Sequence, residues 1–578
     1  MGIYIEDAPS DFYGELLAAA QRAGADVMGA YATLAAVFRR AVDQRLMHST
    51  IAFAGMFAKV DYLVKECGVE PPLAYRINAT RIRLRHLQEQ DGGSLPRLFP
   101  YDLKHVCLFV SRVYGGAAIP PGLAAMLPAS DLSADGGEVL GECVRVVAES
   151  CEGTVVTATG EHGGSLRVDC SGPWAPLCGL ISPGSQLNLV RPREVGGLVV
   201  PELVVFEPDY LVDISAVAAC FESYGATPYT YLINKIKPSP LSSNILLGNF
   251  AGQLLDEAVH GLDCTYADSA ARFFRNNSLA LAACDGIDGG FHSEARSQLD
   301  NIRRAVGSVL PAEVSDYCPA EAMLEPSFFC ETLGLQGRMD FLQMDGARPG
   351  RCILIEQKSG KGAFPPGPDP DTPRHQERHY VQLLLYMALL RYGHGRPNAD
   401  IRAFLLYSHY RNSLLKVGPA PELLCRALML RNQVVWCELW YARGGISVLG
   451  RLTPDNFNVG GQSGRLWEQF TRPQIERLLL PVRRATPLER AYYFRLMTFL
   501  EREHLLSKIG NKTKENSGFA AKWHDTLEEK LQAGNIFYRL SIDSLGARGR
   551  RWLGHRARKG CALQPTPMPR APISVRAT

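Results

Sequence analysis

The stretch 334-GLQGRMDFLQMDGARPGRCILIEQKSGKG-362 decides how this chain is read, together with 378-RHYVQLLLYMALLRYG-393 beyond a proline- and glycine-rich loop. Asp340 follows a glycine-rich approach and falls inside a short apolar run, MDFLQM, that reads as a strand. Glu356 and Lys358 close a second run, CILIEQK, rich in β-branched and aliphatic residues. Residues two apart on a strand share a face, so Glu356 and Lys358 project side by side while Gln357 points away. Gln382 and Tyr386 are four apart on a segment with helical spacing, hence on one helical face.

A carboxylate and an ammonium group held together at the mouth of a buried strand cost desolvation energy, and that cost points to function. If the strand carrying Asp340 lies beside the strand carrying Glu356, the two acids form a pocket of hard oxygen ligands. Such a pocket suits Mg²⁺ or Mn²⁺, which keep several waters and bind substrate phosphate. Taken singly, Glu356 and Lys358 read as an ordinary ion pair and Tyr386 as a core aromatic. The weight lies in all of them occurring in one fixed order.

That order, G-R-M-D, then I-E-Q-K, then Q-L-L-L-Y, resembles the RecB-like branch of the PD-(D/E)XK nucleases, of the kind fused to superfamily 1 helicases. The resemblance implies an α/β, restriction-endonuclease-like core in which Asp340, Glu356 and the backbone carbonyl of Gln357 hold Mg²⁺ or Mn²⁺. It implies that Lys358 positions or activates the attacking water, and that Gln382 and Tyr386 pack against the site. A further metal-ligating histidine, four residues after a helix glycine in that family, maps from Gly248 onto Gly252 and is missing. Asp256, Glu257 and His260 stand nearby, and Glu325 is another acid just upstream. An iron–sulfur cluster, which in some relatives takes one cysteine before the nuclease motifs and three closely spaced ones after them, is not expected, because Cys220 lies before the motifs and only Cys425, Cys437 and the remote Cys561 follow them.

The whole chain sets outer bounds. Its 578 residues exceed what one core organises, and 46% hydrophobic with 21% charged residues describe an ordinary globular protein. A net charge of +3 makes any nucleic-acid surface local, as a groove would be. No stretch approaches the length of a membrane span. With fifteen scattered cysteines and no signal-like N-terminus, the expected compartment is the reducing cytoplasm.

Outward from the central stretch, 1–114 reads as a helical N-terminal region and 115–138 as a Gly/Pro/Ala-rich linker. Arg81, Arg83, Arg85, Arg97 and His86 form either a phosphate-contacting face or, the preferred reading, a solvated helix face. Short β-rich runs over 139–213 suggest a small barrel-like domain, OB-like in pattern, decorated only by His162, Arg167, Arg191 and Arg193. Its cysteines, Cys143, Cys151, Cys170 and Cys178, are too widely spaced for a zinc ribbon and read as strand thiols.

The nuclease domain is expected over 214–450. After Lys358 its loop supplies phosphate contacts from Lys361, Arg374, Arg378 and His379, with mobility to reach DNA. Residues 451–544 read as a helical connector, resembling the one that leads into a motor in nuclease–helicase fusions. No Gly-x₄-Gly-Lys-Ser/Thr phosphate loop occurs. Residues 545–578 are arginine- and proline-rich and read as a disordered basic tail, or as a truncated or out-of-frame end replacing the motor.

The expected function is a metal-dependent DNA nuclease acting on single-stranded or end-containing DNA with a helicase partner, in repair, recombination or defence. The alternatives are a catalytically silent nucleic-acid-binding module or a scaffold that recruits a separate helicase.

Overall fold

The computed structural model describes residues 8–47, 49, 52–53, 56–85, 95–128, 138–160, 164–344, 351–510 and 518–520. His86, His162, Cys561, the tail 545–578 and the side chain of Arg97 lie outside the described residues, as do 129–137 of the linker and most of the connector beyond Gly510.

At the centre is a six-stranded sheet in the order Ala52–Phe53, Leu414–Val417, Ile401–Tyr407, Cys352–Lys358, Phe341–Met344, Ala322–Leu324. Cys352–Lys358 runs parallel to Ile401–Tyr407 and antiparallel to Phe341–Met344. A strand covered on both faces has no water to satisfy polar side chains, which is why its apolar run is nearly continuous. Ile353 and Ile355 pack with helices Ser243–Val259 and Gly289–Arg304. Leu354 packs on the opposite face with helices Glu377–Ala388 and Pro421–Tyr441. Period-two alternation then sends Glu356 and Lys358 towards Glu377–Ala388 and Gln357 towards Ser243–Val259. The spacing predicted this division.

The barrel-like reading of 139–213 is corrected. Eight strands form a sheet in the order Glu138–Val139, Arg193–Val195, Leu198–Val200, Ser165–Asp169, Val155–Gly160, Cys143–Glu152, Gln186–Val190, Leu203–Phe206, and its two end strands do not pair. No closed barrel forms among the described residues. Leu203–Phe206 is buried at every position and gives its unpaired side to helix Pro421–Tyr441 instead. Asn432 donates to the Val204 carbonyl at 2.8 Å and accepts from the Phe206 amide at 3.0 Å. Alternation along short strands is the same in a barrel and in an open sheet, so the sequence pattern did not separate them. One hydrophobic core runs from Val146 of this sheet to Val435 of the helix.

The N-terminal helices Pro9–Arg22, Val27–Arg45, Met56–Glu66, Pro71–Arg85 and Leu95–Val113 enclose a core of their own. Ala52–Phe53 extends from them to pair with Leu414–Val417, covering a sheet edge that would otherwise offer open backbone groups. Lys65 donates to the Ile401 carbonyl at 3.2 Å, and Arg402 pairs with Glu66 at 3.2 Å. Lys416, only 2% exposed, lies 4.0 Å from the Tyr62 ring centroid, and burial pulls its ammonium down to about 7. Neither reading of the arginine-rich segment fits Arg81 and Arg83. Arg83 binds the fully buried Asp102, which also accepts from Tyr31 at 2.8 Å and Thr80 at 2.7 Å, and Arg81 is itself buried.

Candidate active site

Asp340 sits in a bend rather than in a strand. Leu335–Arg338 pairs with Ser327–Cys330 in a separate small sheet, whereas Phe341–Met344 joins the central one, so the chain changes sheets at Met339–Asp340. Two backbone bonds fix the crossing: Met339 donates to the Pro326 carbonyl and Glu325 to the Asp340 carbonyl, both at 3.0 Å. Because Phe341 pairs with Ile355, the residue before the one meets the residue after the other, and Asp340 faces the end of the strand at Glu356. The Gln357 amide donates to Asp340 Oδ2 at 2.7 Å. A strand residue's N–H and C=O lie on the same side, so the Gln357 carbonyl opens to the side that holds Asp340. The Gln357 side chain goes to the other face and donates to the Ala251 carbonyl at 3.0 Å.

Lys358 Nζ bridges Glu356 Oε1 at 2.7 Å and Gln382 Oε1 at 2.9 Å. Tyr386, one turn further along the helix, donates to the Arg338 carbonyl at 2.6 Å and thereby ties the helix to the segment leading to Asp340. Gly337 makes this approach possible, since a Cβ there would stand 2.8 Å from the Tyr386 ring. Gln298, fully buried on the opposite face, donates to the Ser359 carbonyl at 3.0 Å and holds the strand's exit.

Glu356 is 2% exposed, and its Oε2 has no hydrogen-bond partner among the described residues. Burial pushes this carboxyl up to about 8; the neighbouring Asp340 adds to the rise and Lys358 opposes it. Burial raises Asp340 as well, against the pull of Lys358 and of the Gln357 amide. Two acids that resist ionisation, one with an oxygen left empty-handed, have less positive charge beside them than they need, although Lys358 and Arg338 both favour the ionised forms. Hard carboxylate oxygens beside a backbone carbonyl are the donor set that Mg²⁺ or Mn²⁺ takes, so the residues present fit such an ion.

A pH dependence follows. Glu356 has a folded value near 8 against an ordinary 4.5, so the folded cation-free protein carries a proton there that the unfolded chain has released. Its contribution to stability is therefore lost progressively as pH rises from about 4.5 to 8, and below 8 a cation must displace the proton. The increase in Tm on adding Mn²⁺ is expected to be larger at pH 8 than at pH 6. Differential scanning fluorimetry checks this, and a Glu356→Gln variant should lose the trend.

The site opens into a cleft of about 1380 Å³ walled by the helices Ser243–Val259 and Tyr266–Asn276 and by the segment after Lys358. Of the four residues expected to contact phosphate, Lys361, Arg378 and His379 line the cleft and Arg374 does not. Arg374 donates to the Pro365 carbonyl at 2.8 Å, and its own carbonyl accepts from Ala363. Burial, reinforced by the positive charge of Lys358, lowers His379 to about 3, and its Nδ1 lies 2.8 Å from the Tyr407 hydroxyl. His379 is thus neutral, and it brings no positive charge to a phosphate. The loop is stapled rather than loose: Gly362 donates to Tyr410 Oη at 3.0 Å, Asn412 to the Asp371 carbonyl at 2.9 Å and Gln376 to the Lys361 carbonyl at 2.9 Å.

The nearby acids have separate fates. Glu257 accepts from Gln253 at 2.8 Å and Ser269 at 2.5 Å, so it serves the cleft wall. Glu325 lines the cleft with a φ of +51°, strained backbone for a residue with a side chain. Gly252 faces the cleft, and a Cβ built there meets nothing within 4 Å. Gly252→His therefore introduces the imidazole that the resemblance calls for on the cleft wall, with no clash at its Cβ. The metal concentration giving half-maximal cleavage is expected to fall roughly tenfold, as measured by titration with Mn²⁺.

A second group of ligand-type atoms, from Glu438, Glu501 and His504, lies elsewhere. Lys235 bridges its two acids at 2.8 Å from Glu438 and 2.5 Å from Glu501, which makes the group an ion-pair network joining three helices.

Residues 219–443 match the family described as PD-(D/E)XK nuclease superfamily, and the match spans every site residue above. The chain thus carries a domain of that superfamily, whose members use divalent metal ions. No curated protein matches the chain. No helix among the described residues is long and apolar enough to cross a membrane.

Proposed function

We propose that this PD-(D/E)XK domain hydrolyses phosphodiester bonds in DNA with Mg²⁺ or Mn²⁺ bound by Asp340, Glu356 and the Gln357 carbonyl. The observation that carries the reading is the buried, unpartnered Oε2 of Glu356 beside Asp340, with Lys358 held 2.7 Å from the other oxygen. A divalent cation bound there offsets charge developing on the phosphate and makes a nearby water more acidic. Lys358 has its ammonium fixed by Glu356 and Gln382, so it presents a positive charge to the incoming water without reorganising. Tyr386 fixes the backbone at Arg338 and so the placement of Asp340. Lys361 and Arg378 provide positive charge along the cleft for the substrate backbone. A single strand or a DNA end remains the proposed substrate, on the strength of the resemblance.

A helicase partner remains part of the proposal through the connector's resemblance. Helix Pro487–Ile509 supports it by exposing Leu488, Tyr492, Leu496 and Phe499, spaced three and four apart along one face. A role in repair, recombination or defence within a reducing compartment accords with that partnership.

The test is nicking of supercoiled plasmid and digestion of a labelled single strand with Mg²⁺, Mn²⁺ or EDTA, comparing the parent with Lys358→Ala. Cleavage that needs metal and Lys358 supports the nuclease. Equal cleavage by both proteins removes the catalytic assignment. Binding without cleavage favours the silent module, the reading that the missing histidine at Gly252 supports.

A further inference from the structure

Arg338 stands two residues before Asp340 at the end of its strand, and its backbone is clamped by Tyr386 at 2.6 Å. Its side chain is 60% exposed and meets Glu325 on the adjoining segment, with 3.5 Å between Nη1 and Oε2. Glu325 is held in turn by its backbone bond to Asp340 and by a φ of +51°. A residue kept in left-handed backbone without being glycine is strained, and strain of this kind collects where a side chain has to be aimed. Three other cleft cations have partners of their own, and Lys361 stands on the segment beyond Lys358. Lys358 is bridged between Glu356 and Gln382, Arg378 binds Gln376 at 2.7 Å, and Arg272 faces Glu257 at 3.6 Å. Arg338 has a fixed base, a long and weakly tethered head, and a site next to the two acids.

We propose that Arg338 is the residue that grips the scissile phosphodiester, and that Glu325 is its resting partner. Resting on the nuclease reading above, the exchange swaps one anion for another: the guanidinium leaves the Glu325 carboxylate and takes the non-bridging phosphate oxygens, whose geometry its planar fork matches. Glu325 acts on binding through Arg338 and is not a cation ligand in this scheme. An exposed ion pair at this separation is weak, so the exchange costs little and needs no movement of the backbone.

The two roles for Glu325 predict opposite signs. Affinity for a fluorescein-labelled single-stranded oligonucleotide is measured by anisotropy in EDTA, with the full chain and with Glu325→Gln, Arg338→Gln and the double variant, each checked for an unchanged Tm. Glu325→Gln is expected to bind about two- to fivefold tighter and Arg338→Gln about three- to tenfold weaker. The double variant is expected to match Arg338→Gln alone, because the glutamate has nothing left to restrain. Tighter binding from Glu325→Gln that persists in the Arg338→Gln background would mean simple repulsion between glutamate and phosphate, and would overturn the exchange. Weaker or unchanged binding by Glu325→Gln overturns it too. A parent that cleaves with Mn²⁺ but shows no such coupling loses only this proposal, whereas one that neither binds nor cleaves loses the nuclease reading as well.

Discussion

Lys358→Ala is expected to cut single-turnover cleavage by about 10²- to 10³-fold at saturating Mn²⁺, the range for removing one fixed charge-stabilising donor from an active site. The parent ammonium is one-fifth exposed and tied at two points, so no reorganisation precedes its use. Alanine removes that charge and leaves Glu356 a buried carboxylate with neither oxygen paired. The cation then has the acids to itself, so metal affinity should hold or rise while the rate collapses. Lys358→Arg should rescue little, because a planar fork does not fit a slot built around a point charge between a carboxylate and an amide. The checks are rapid-quench kinetics across a Mn²⁺ titration and a circular dichroism spectrum showing an intact fold. A rate within threefold of the parent at saturating metal would end the case for Lys358.

The second large effect is structural. Arg431 is fully buried in helix Pro421–Tyr441 and donates to the carbonyls of Phe206, Gly334 (3.2 Å), Glu207 (3.1 Å) and Tyr210 (2.7 Å), with Asn432 Oδ1 at 3.2 Å. Burial pulls even this guanidinium down to about 9. Its neighbour Gly334 has a φ of +60°, and an added Cβ there would collide with the guanidinium, so glycine is required on two counts. Arg431→Met keeps most of the volume but orphans several core carbonyls at once, at a cost of about 3–5 kcal/mol. The loss should be local. The seam between the eight-stranded sheet and helix Pro421–Tyr441 is expected to open first, giving an early melting transition and faster trypsin cleavage after Arg193. Melting and digestion patterns that match the parent would show that the carbonyls find other partners.

Much of the site was legible because it depends on short-range geometry. Residues two apart on a strand share a face whatever surrounds them, which pairs Glu356 with Lys358 and turns Gln357 away. Spacing of four likewise put Gln382 and Tyr386 on one helix face. The loop arginines were less legible. Arg374 and Arg378 look alike in sequence, yet one braces its own loop and the other lines the cleft, because a local carbonyl captured the first. Glu325 gave only the weak signal of an acid upstream of the site. Its aim depends on a backbone angle that no pattern of residue types records.

By itself the sequence determined which residues form the central strand, which of its faces carries charge, and the order in which the acids, the lysine and the Gln/Tyr helix occur. Those follow from strand and helix periodicity, a property of the local chain. Tertiary structure alone decided that Asp340 meets Glu356 across a change of sheet, that the β-rich region stays open against a helix, and that Arg338 rests on Glu325. Each of these joins segments through register, burial or hydrogen bonds to backbone groups. Such contacts are fixed by where the whole chain packs, and many local sequences satisfy them equally well.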